Sequence, residues 1–313
     1  MKYVVTGGAG FIGSHIVEEL VKKGEDVVVI DNLSAGTNNL PDLPKDILEK
    51  IKFIKGDICD LNLLKEEFQD VDFVLHHAAL ISVRESVEKK DEYTAVIHEG
   101  TRNILEAARL NNVKRVVFAS SCAVYGNTNI IPQTEQLETN PLSPYAELKL
   151  SAEKLCNEYY KKHGLKTIIL RYFNVFGPRQ SPDSTYAGVI PLFIKKVLNN
   201  ETPNIYGDGE QTRDFVFVKD IVNVNLLACK ANAGFGEPIN IGTGQETSVN
   251  KILFLINKHL NKNVKPNFAP EKKEELKRAC SDNTKAEKLL GFKAKYGFEQ
   301  GLKETIEWIK TLD

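Results

Sequence analysis

The sequence predicts an α/β protein built on a doubly wound parallel sheet, with a smaller α/β substrate-binding portion interleaved with its last elements. Through the first half of the chain, short β-branched runs that are almost wholly apolar alternate with helical patterns. Strands that are apolar on both faces are typical of parallel sheets covered by helices on both sides. From about Tyr172 onward, prolines and loops interrupt this rhythm, and further helical patterns follow.

Strands are predicted at Tyr3–Thr6, Asp26–Ile30, Ile51–Lys55, Phe73–His76, Arg115–Ser120 and Thr167–Leu170. Helices are predicted at Gly13–Lys23, Leu61–Phe68, Tyr93–Asn111, Pro144–His163, Lys219–Ala231, Val249–Leu260 and Gln300–Thr311. We assign residues 1–171, with about 219–248, to the sheet domain, and residues 172–218 with 249–313 to the smaller portion. A cleft between the two is expected at the carboxyl edge of the sheet, where open α/β sheets bind ligands.

Composition and charge narrow the class of protein. The 313 residues are 42% hydrophobic and 27% charged, with a formal net charge of −1. A net charge this close to zero gives no excess of positive charge that would bind nucleic acid or a membrane surface. No apolar run approaches the roughly 18 residues of a membrane-spanning helix. The glycine-rich amino terminus is no signal peptide, and the cysteines have no metal-binding spacing. We therefore expect a cytoplasmic globular protein with reduced thiols, and no nucleic-acid, membrane or metal partner.

The segment TGGAGFIG at residues 6–13 follows the first strand and opens the first helix. In such a segment Gly7 permits a tight turn, Gly10 lets backbone amides approach a pyrophosphate, and Gly13 allows close packing of helix and strand. The helix amino terminus then offers free N–H groups and a positive dipole end to phosphates. This pattern indicates a dinucleotide-binding (Rossmann) domain; a glycine turn that merely packs is the alternative.

An acid at the end of the second strand favours NAD over NADP. The Asp31 carboxylate can accept hydrogen bonds from both ribose hydroxyls and would repel a 2′-phosphate. Residues 32–35 contain no Arg or Lys that could bind such a phosphate. At the end of the third strand, Asp57 either accepts the adenine amino group or caps the helix Leu61–Phe68, and the sequence leaves both open. The predicted NAD-binding residues are Gly7, Gly10, Phe11, Ile12, Gly13, Asp31, Asn32, Asp57, Ile58, Ala78, Ala79, Tyr145 and Lys149.

The fourth strand ends in His76-His77-Ala78-Ala79, whose small alanines leave room for a nicotinamide ribose. Two adjacent histidines suggest a metal site, but neighbouring strand residues face opposite ways. The sequence offers no third ligand. We therefore interpret both as histidines of the core or of the cleft wall.

A tyrosine and a lysine four residues apart form the predicted catalytic pair. Tyr145 and Lys149 share one face of a helix that begins near Pro144. A tyrosine is a poor base at neutral pH unless its phenolate is stabilised, and an ammonium group beside a nicotinium ring does this. Ser121, at the end of the fifth strand, is the predicted partner of the reacting hydroxyl group, with Ser120 the residue most easily confused with it. A nucleophilic Ser121 or Cys122 is disfavoured because no histidine stands at triad spacing.

The glycine loop, Asp31, Ser121 and Tyr145-x-x-x-Lys149 together resemble the extended short-chain dehydrogenase/reductase family. The second half resembles the nucleotide-sugar branch of that family in four segments: RYFNVFGPR at 171–179, VIP at 189–191, YGDG at 206–209 and RDFV at 213–216. The resemblance implies a UDP-sugar substrate. Its diphosphate would be held by Asn174 and Arg213, and its uracil flanked by Val189, Ile190 and Tyr206.

Within that branch, the residues after Ser121 indicate the reaction. The similar 4,6-dehydratases carry an Asp-Glu pair there and the glucuronate decarboxylases a Glu, whereas this chain has Cys122 and Ala123. The resemblance then implies NAD-dependent C4 epimerisation of a UDP-hexose through a transient 4-keto sugar. Another nucleotide-sugar activity is the first alternative, and a non-catalytic NAD-binding regulatory protein is the second. The resemblance also implies a homodimer seam at Tyr93–Asn111 and Pro144–His163, whose apolar faces would equally suit packing within one chain.

The sugar's 2-substituent is predicted from one aligned position. Alignment on Asp282-Asn283-Thr284-Lys285 places the wall of the N-acetyl pocket at Ala279, whose methyl group leaves room for an acetamido group. Both glucose and N-acetylglucosamine nucleotides are therefore expected as substrates. A glucuronate epimerase stays open because of Arg84, although Ser181 replaces an arginine that such enzymes carry. The predicted substrate contacts are Ser121, Asn174, Val189, Ile190, Tyr206, Arg213, Lys272, Glu275 and Ala279.

Two departures from the family pattern accompany these predictions. Relatives usually carry Arg-x-Gly-Asp where this chain has residues 272–275, Lys-Lys-Glu-Glu, so either Lys272 or Arg278 would neutralise the diphosphate. Relatives also commonly place an Asn before the Gly-Thr pair, where this chain has Ile97-His98-Glu99 before Gly100-Thr101.

Overall fold

The structure, a computed structural model, describes residues 1–34, 36, 38–183, 188–271 and 276–312. Its strands are β1 (Lys2–Thr6), β2 (Asp26–Asp31), β3 (Ile51–Lys55), β4 (Phe73–His76), β5 (Arg115–Ser121), β6 (Thr167–Tyr172), β7 (Asn174–Phe176), β8 (Asn204–Tyr206), β9 (Thr212–Arg213), β10 (Phe215–Phe217), β11 (Pro238–Ile241), β12 (Thr247–Ser248) and β13 (Asn267–Ala269). Its helices are α1 (Phe11–Lys22), α2 (Lys45–Leu48), α3 (Leu61–Glu67), α4 (Glu85–Glu88), α5 (Lys90–Tyr93), α6 (Gly100–Leu110), α7 (Pro144–His163), α8 (Val189–Leu198), α9 (Val218–Lys230), α10 (Val249–Leu260), α11 (Thr284–Leu290) and α12 (Phe298–Ile309).

Seven strands form one parallel sheet in the order β11-β6-β5-β4-β1-β2-β3. Alternate residues of each strand enter two different cores, since Val5 packs on one side of the sheet and its neighbour Val4 on the other. Helices α1 and α9 pack together on one side, and α6 and α7 on the other. This double covering is the reason the inner strands are largely apolar, whereas the edge strand β3 is partly exposed, and it confirms the predicted doubly wound sheet.

A third core fills the smaller portion of the chain. It gathers α8, α10 and α12 around the aromatic rings of Phe176, Phe217 and Phe298. Three two-stranded pairings accompany it within the described residues, namely β7 with β10, β9 with β12, and β8 with β13. The elements α9 and β11 lie with the large sheet, since α9 packs on α1 and β11 pairs with β6. These contacts support the proposed division into two portions.

Several elements differ from the sequence prediction. The predicted helix Tyr93–Asn111 is divided into α5, a π-helical segment at Thr94–Glu99, and α6. The π-helical segment coincides with the departure from the family pattern before Gly100. The short strands after β6, together with α8 and α11, were not predicted, because brief or buried apolar runs carry no clear period. In the described part of the chain, no helix is long and apolar enough to cross a membrane.

Candidate active site

The glycine loop between β1 and α1 is shaped by contacts that exclude larger side chains. Gly7 has a φ of +69°, and a Cβ there would lie 2.6 Å from the backbone nitrogen of Ala78. A Cβ on Gly13 would lie 2.1 Å from the Gly7 carbonyl oxygen. Gly10 is the N-cap of α1 and supplies no side-chain cap, so the first amides of the helix, from Phe11 and Ile12 onward, stay available for an anion. This cradle fits a dinucleotide pyrophosphate.

Asp31 lies half-buried at the end of β2, directly beside this loop. Its carboxylate accepts hydrogen bonds from the backbone amides of Ala9, at 3.0 Å, and Leu33, at 2.8 Å. Burial raises the pKa of Asp31, and the two amides act in the opposite direction. The acid is thereby fixed at the edge of the loop, where a ribose of a bound dinucleotide would lie.

Asn32 and Asp57 join across the ends of β2 and β3. Asn32 Nδ2 donates to Asp57 Oδ2 at 2.9 Å, and the backbone amide of Cys59 donates to Asp57 Oδ1 at 2.8 Å. Burial would raise the pKa of Asp57, but these hydrogen bonds hold it below its usual value. Asp57 does not cap α3; that role belongs to Asp60, so the capping interpretation of Asp57 is wrong. Contact of Asp57 with adenine stays a prediction, as does that of the adjoining, buried Ile58.

The two histidines at the end of β4 face opposite sides of the sheet. His76 bonds Thr6 at 2.8 Å and Thr101 at 3.1 Å, whereas His77 bonds Asn225 at 3.1 Å. Burial lowers the pKa of both rings, to about 4 for His77. Each is therefore a neutral, hydrogen-bonded core residue. Beyond them, half-buried Ala78 and Ala79 line the point where Gly7 approaches β4.

Helix α7 delivers the predicted catalytic pair. Ser143 is its N-cap, accepting a hydrogen bond from the Ala146 amide, and Pro144 occupies the first turn, as such positions favour. The backbone amide of Tyr145 donates to Ser86 Oγ at 3.1 Å, which fixes the start of the helix against α4. The helix geometry then brings Tyr145 and Lys149 to one face, as predicted.

Lys149 lies behind the Tyr145 ring and is only 4% exposed. Its ammonium lies 6.0 Å from the centre of the Tyr145 ring and donates to the Ala119 carbonyl oxygen at 2.8 Å. Burial lowers the pKa of Lys149 to about 8. Burial raises the pKa of Tyr145 to about 12, and a hydrogen bond with Ser121 counteracts part of that rise. Ser121, Tyr145 and Lys149 thus form one contiguous group.

The structure distinguishes the two neighbouring serines. Ser120 is buried and donates to Glu153 Oε1 at 2.5 Å, on the core side of β5. Ser121 faces the other way, accepts the amide of Ala123 at 3.2 Å and bonds the Tyr145 hydroxyl. Ser121 is therefore the serine placed beside the tyrosine, as the sequence suggested.

A cavity of about 450 Å³ lies between β7, α8, β8 and β9. Its lining includes every one of the five residues predicted to hold the nucleotide: Asn174, Val189, Ile190, Tyr206 and Arg213. The sequence analysis missed Gln180 and Gln211, which also line it. Gln180 directly follows the segment GPR at 177–179, and Gln211 directly precedes Thr212-Arg213. This adjacency to predicted substrate segments could have identified both glutamines, because a cavity wall continues into its flanking loops.

Ala279 lies outside that cavity but next to it. It is 1% exposed, and its amide donates to the Thr212 carbonyl oxygen at 3.2 Å, beside Arg213. The following segment is fixed by Asp214, whose carboxylate accepts the Ser281 amide at 3.0 Å and the Ser281 hydroxyl at 2.6 Å. Burial, and after it the Asp214 charge, raises the pKa of Cys122 to about 12. Asp214 therefore stands between the Ala279 segment and the Ser121 end of the site.

Two predicted substrate contacts, Lys272 and Glu275, lie outside the described residues. Their rival Arg278 is 57% exposed and forms a two-pronged ion pair with Glu246, at 2.9 and 2.5 Å. Arg278 would have to leave Glu246 to reach a diphosphate. The choice between Lys272 and Arg278 stays a prediction.

Comparison with known proteins places this geometry in a family. Residues 3–242 match the model of the NAD dependent epimerase/dehydratase family. The chain belongs to that family. A putative UDP-glucose 4-epimerase of Methanocaldococcus jannaschii is 42% identical, over 98% of each chain. The solved UDP-N-acetylglucosamine 4-epimerase of Methanobrevibacter ruminantium M1, in complex with UDP-N-acetylmuramic acid, is 38% identical with a TM-score of 0.94, covering 100% of this chain and 99% of its own.

The relatives share the UDP-sugar chemistry but differ in substrate. A UDP-N-acetyl-alpha-D-glucosaminuronate decarboxylase of Bacillus cytotoxicus is 37% identical over 99% of this chain and 98% of its own. The chain is therefore an enzyme of the NAD-dependent UDP-sugar epimerase family, and its cofactor is NAD. The predicted family, fold class and cofactor are confirmed. The reaction and the sugar have to be argued from the site.

Proposed function

We propose that this enzyme epimerises C4 of UDP-hexoses, interconverting UDP-glucose with UDP-galactose and UDP-N-acetylglucosamine with UDP-N-acetylgalactosamine. The observation that carries the proposal is the group Ser121, Tyr145 and Lys149, near which the described carboxylates of Glu153 and Asp214 are already bound by hydrogen bonds. Oxidation and reduction at C4 need one base with its stabilising groups, whereas elimination needs a further acid or base.

The occupied acids argue against a dehydratase. Cys122, the residue after Ser121, has a pKa raised by burial to about 12, so it is no proton donor of useful acidity at neutral pH. Glu153 is bound by Ser120 and Arg171. Asp214 accepts hydrogen bonds from the amides and hydroxyls of a surrounding loop and strand, those of Thr243, Gly244 and Ser281.

The residues divide the work of the reaction. NAD⁺, which the glycine loop and Asp31 would hold, would supply reversible hydride transfer at C4 of the sugar. Tyr145 takes the proton of the C4 hydroxyl and later returns it, with Ser121 bonded to the same oxygen. The Lys149 ammonium stabilises the Tyr145 phenolate. Asn174 and Arg213 would hold the diphosphate while the 4-keto sugar turns about that tether.

The acceptance of an N-acetyl group rests on Ala279. Its methyl side chain stands on a segment that Thr212 and Asp214 hold from both sides, so the wall position is rigid and small. A rigid wall without a large side chain leaves volume for an acetamido group, and a longer side chain would fill it.

A glucuronate 4-epimerase is the remaining alternative within the family. It would need a cation for the sugar carboxylate. The Arg84 side chain is 91% exposed and has its Nε 3.7 Å from Glu88, and Ser181 brings no charge. Both observations favour a neutral hexose.

We also propose a cytoplasmic homodimer. Five free cysteines suit the reducing cytosol. The apolar faces of α6 and α7 are buried in the chain's own core, through Leu105 and Leu155 among others, so packing within the chain accounts for them. Their outer faces carry both acids and bases, including Arg102 and Lys154, which a two-fold axis could place opposite the acids of a second copy. Light scattering would show twice the 35.0 kDa chain mass.

The decisive test of the activity uses the purified protein with no added NAD. UDP-galactose and UDP-N-acetylgalactosamine are incubated separately, and the products are resolved by anion-exchange chromatography. Both should be converted to their C4 epimers, since the cofactor stays bound through the cycle. Tyr145→Phe should convert neither. The proposal would be contradicted if the wild-type enzyme converted neither UDP-galactose nor UDP-N-acetylgalactosamine and epimerised UDP-glucuronate instead.

A further inference from the structure

A buried ion pair lies directly behind the catalytic helix. Arg171 on β6 donates through Nε to Glu153 Oε1 at 2.9 Å and through Nη2 to Glu153 Oε2 at 2.6 Å. The two side chains are 4% and 5% exposed, respectively. Removing two charges from water is costly, and a buried pair is often no better for stability than apolar residues of equal size. Stability alone is thus a weak reason for its presence.

Both partners are fully engaged by further hydrogen bonds. Ser120 donates to Glu153 Oε1 at 2.5 Å, and Arg171 Nη1 donates to the Tyr125 hydroxyl at 2.9 Å. The Tyr125 hydroxyl donates onward to Asn240 at 2.7 Å. A satisfied network of this kind holds each member in one orientation. The carboxylate therefore has a fixed position relative to the helix that carries it.

That fixed position is one helical turn beyond Lys149. Residues four apart lie on the same helix face, and the Glu153 charge acts on Lys149 by raising its pKa against the larger effect of burial. On α7 itself, Tyr145 and Cys156 also lie near the ammonium, and burial raises the pKa of Cys156, so its thiol stays neutral.

On the neighbouring strands, Arg171 of β6 is charged but is paired with Glu153, and the other described groups near Lys149 are neutral. At the end of β4, His76 lies on the Lys149 side of the sheet and His77 on the opposite side. Burial lowers the pKa of both rings, so both stay neutral. From β5 come the ring of Phe118, 5.0 Å from the ammonium, and the Ala119 carbonyl. Among the described residues that act on Lys149, Glu153 is the carboxylate, and it is paired with Arg171.

We propose that Glu153 is a positioning residue of the reaction, which keeps the Lys149 ammonium charged and, by binding Ser120, turns Ser121 toward Tyr145. The inference rests on the proposed function, because the charged ammonium is what makes Tyr145 a base. Arg171 has a supporting role, since its guanidinium binds both oxygens of the Glu153 carboxylate inside the core.

The test replaces the carboxylate with an amide of the same shape, Glu153→Gln, in the full-length holoenzyme. The pKa of Lys149 is measured from its Nζ resonance in protein labelled with ¹⁵N-lysine, assigned by comparison with Lys149→Met. We expect it to fall by about one pH unit or more, as expected for loss of a unit charge a few ångströms away in a medium of intermediate dielectric. The alkaline decline of kcat should move down by the same amount, with KM little changed.

Tyr125→Phe is the matched control. It removes the two buried hydrogen bonds of the Tyr125 hydroxyl, with Arg171 and Asn240, but no charge. It should lower the melting temperature and leave both the Lys149 pKa and the pH profile where they are in the wild type. An equal shift in this variant would show that the network acts only through general packing, and would overturn the proposal.

A second variant covers the case in which Glu153→Gln, with Arg171 left unpaired, fails to fold. Glu153→Gln/Arg171→Met leaves no lone buried charge. The Lys149 pKa should still fall, because Glu153 is the group that acts on it. A wild-type Lys149 pKa in this folded double variant would overturn the proposal. The resonance is measured without substrate, so this outcome is distinct from failure of the proposed epimerase activity, which the wild-type turnover assay reports.

Discussion

The Lys149 ammonium lies 6.0 Å from the centre of the Tyr145 ring, one turn further along the same face of α7. Burial acts against the charged form of each, raising the pKa of Tyr145 to about 12 and lowering that of Lys149 to about 8. The phenolate and the ammonium stabilise each other, so the useful state of the pair has both groups charged. This mutual dependence makes the activity sensitive to pH on the alkaline side.

We predict that kcat falls as the pH rises through the pKa of Lys149, which is about 8. The ammonium is charged below that pH and loses its charge above it, so stabilisation of the Tyr145 phenolate is lost in the alkaline direction. The measurement is kcat with saturating UDP-galactose across the neutral and alkaline range. Lys149→Arg is the control, because a guanidinium keeps its charge throughout. Its lower rate should show no decline in that range, and an unchanged decline would assign the titration to another group.

The two serines at the end of β5 should respond differently to alanine. Ser121→Ala removes the hydroxyl that bonds Tyr145, and we expect kcat to fall by about 10²-fold, typical for loss of a hydrogen bond made to the reacting centre. Ser120→Ala leaves Glu153 with one donor fewer. It should lower the stability by about 1–3 kcal/mol and kcat by much less than Ser121→Ala does. Steady-state kinetics and thermal unfolding of both variants distinguish the roles, and a larger kcat loss in Ser120→Ala would reverse the assignment.

The parts of the site that could be predicted from sequence are those fixed by local backbone geometry. A glycine loop between β1 and α1, an acid at the end of β2, and a tyrosine and lysine four residues apart on α7 each follow from short-range spacing. Strand alternation puts Ser120 and Ser121 on opposite sides, but it could not show which of them lies beside Tyr145, because that depends on Glu153 and Arg171, which lie far along the chain. Likewise, Asp57 was open between two roles until Asp60 was seen to cap α3.

The same physical reason limited the prediction of the fold. Six strands of the large sheet were predicted, because all of them except the partly exposed edge strand β3 are short runs of buried, largely apolar residues. The seventh, β11 (Pro238–Ile241), has only four residues and gains its place by pairing with β6, about seventy residues earlier in the chain. The short strand pairs around the nucleotide cavity depend on equally distant partners.

Asp31 should determine how tightly the cofactor is held. Asp31→Asn keeps the shape of the side chain but removes the negative charge of the carboxylate that would accept hydrogen bonds from the ribose hydroxyls. We expect the affinity for NAD to fall by about 10–100-fold, because one or two charge-assisted hydrogen bonds are weakened. The purified variant should then lose NAD on gel filtration and regain activity when NAD is added. Asp26→Asn, at the exposed start of the same strand, should keep its cofactor. Full retention of NAD by Asp31→Asn would show that the Asp31 carboxylate does not bind the cofactor.

The choice of sugar should turn on Ala279. Ala279→Tyr fills the wall position with a ring on a segment that Thr212 and Asp214 prevent from moving aside. We expect kcat/KM for UDP-N-acetylgalactosamine to fall by about 10²-fold, as a clash of 2–3 kcal/mol would produce, while that for UDP-galactose changes little. Ala279→Gly is the control, since it keeps the space open and should leave both substrates active. Because the two sugars differ only at C2, a parallel loss of both activities in Ala279→Tyr would mean that the segment supports the whole pocket. An unchanged N-acetyl activity would instead place the wall at another residue.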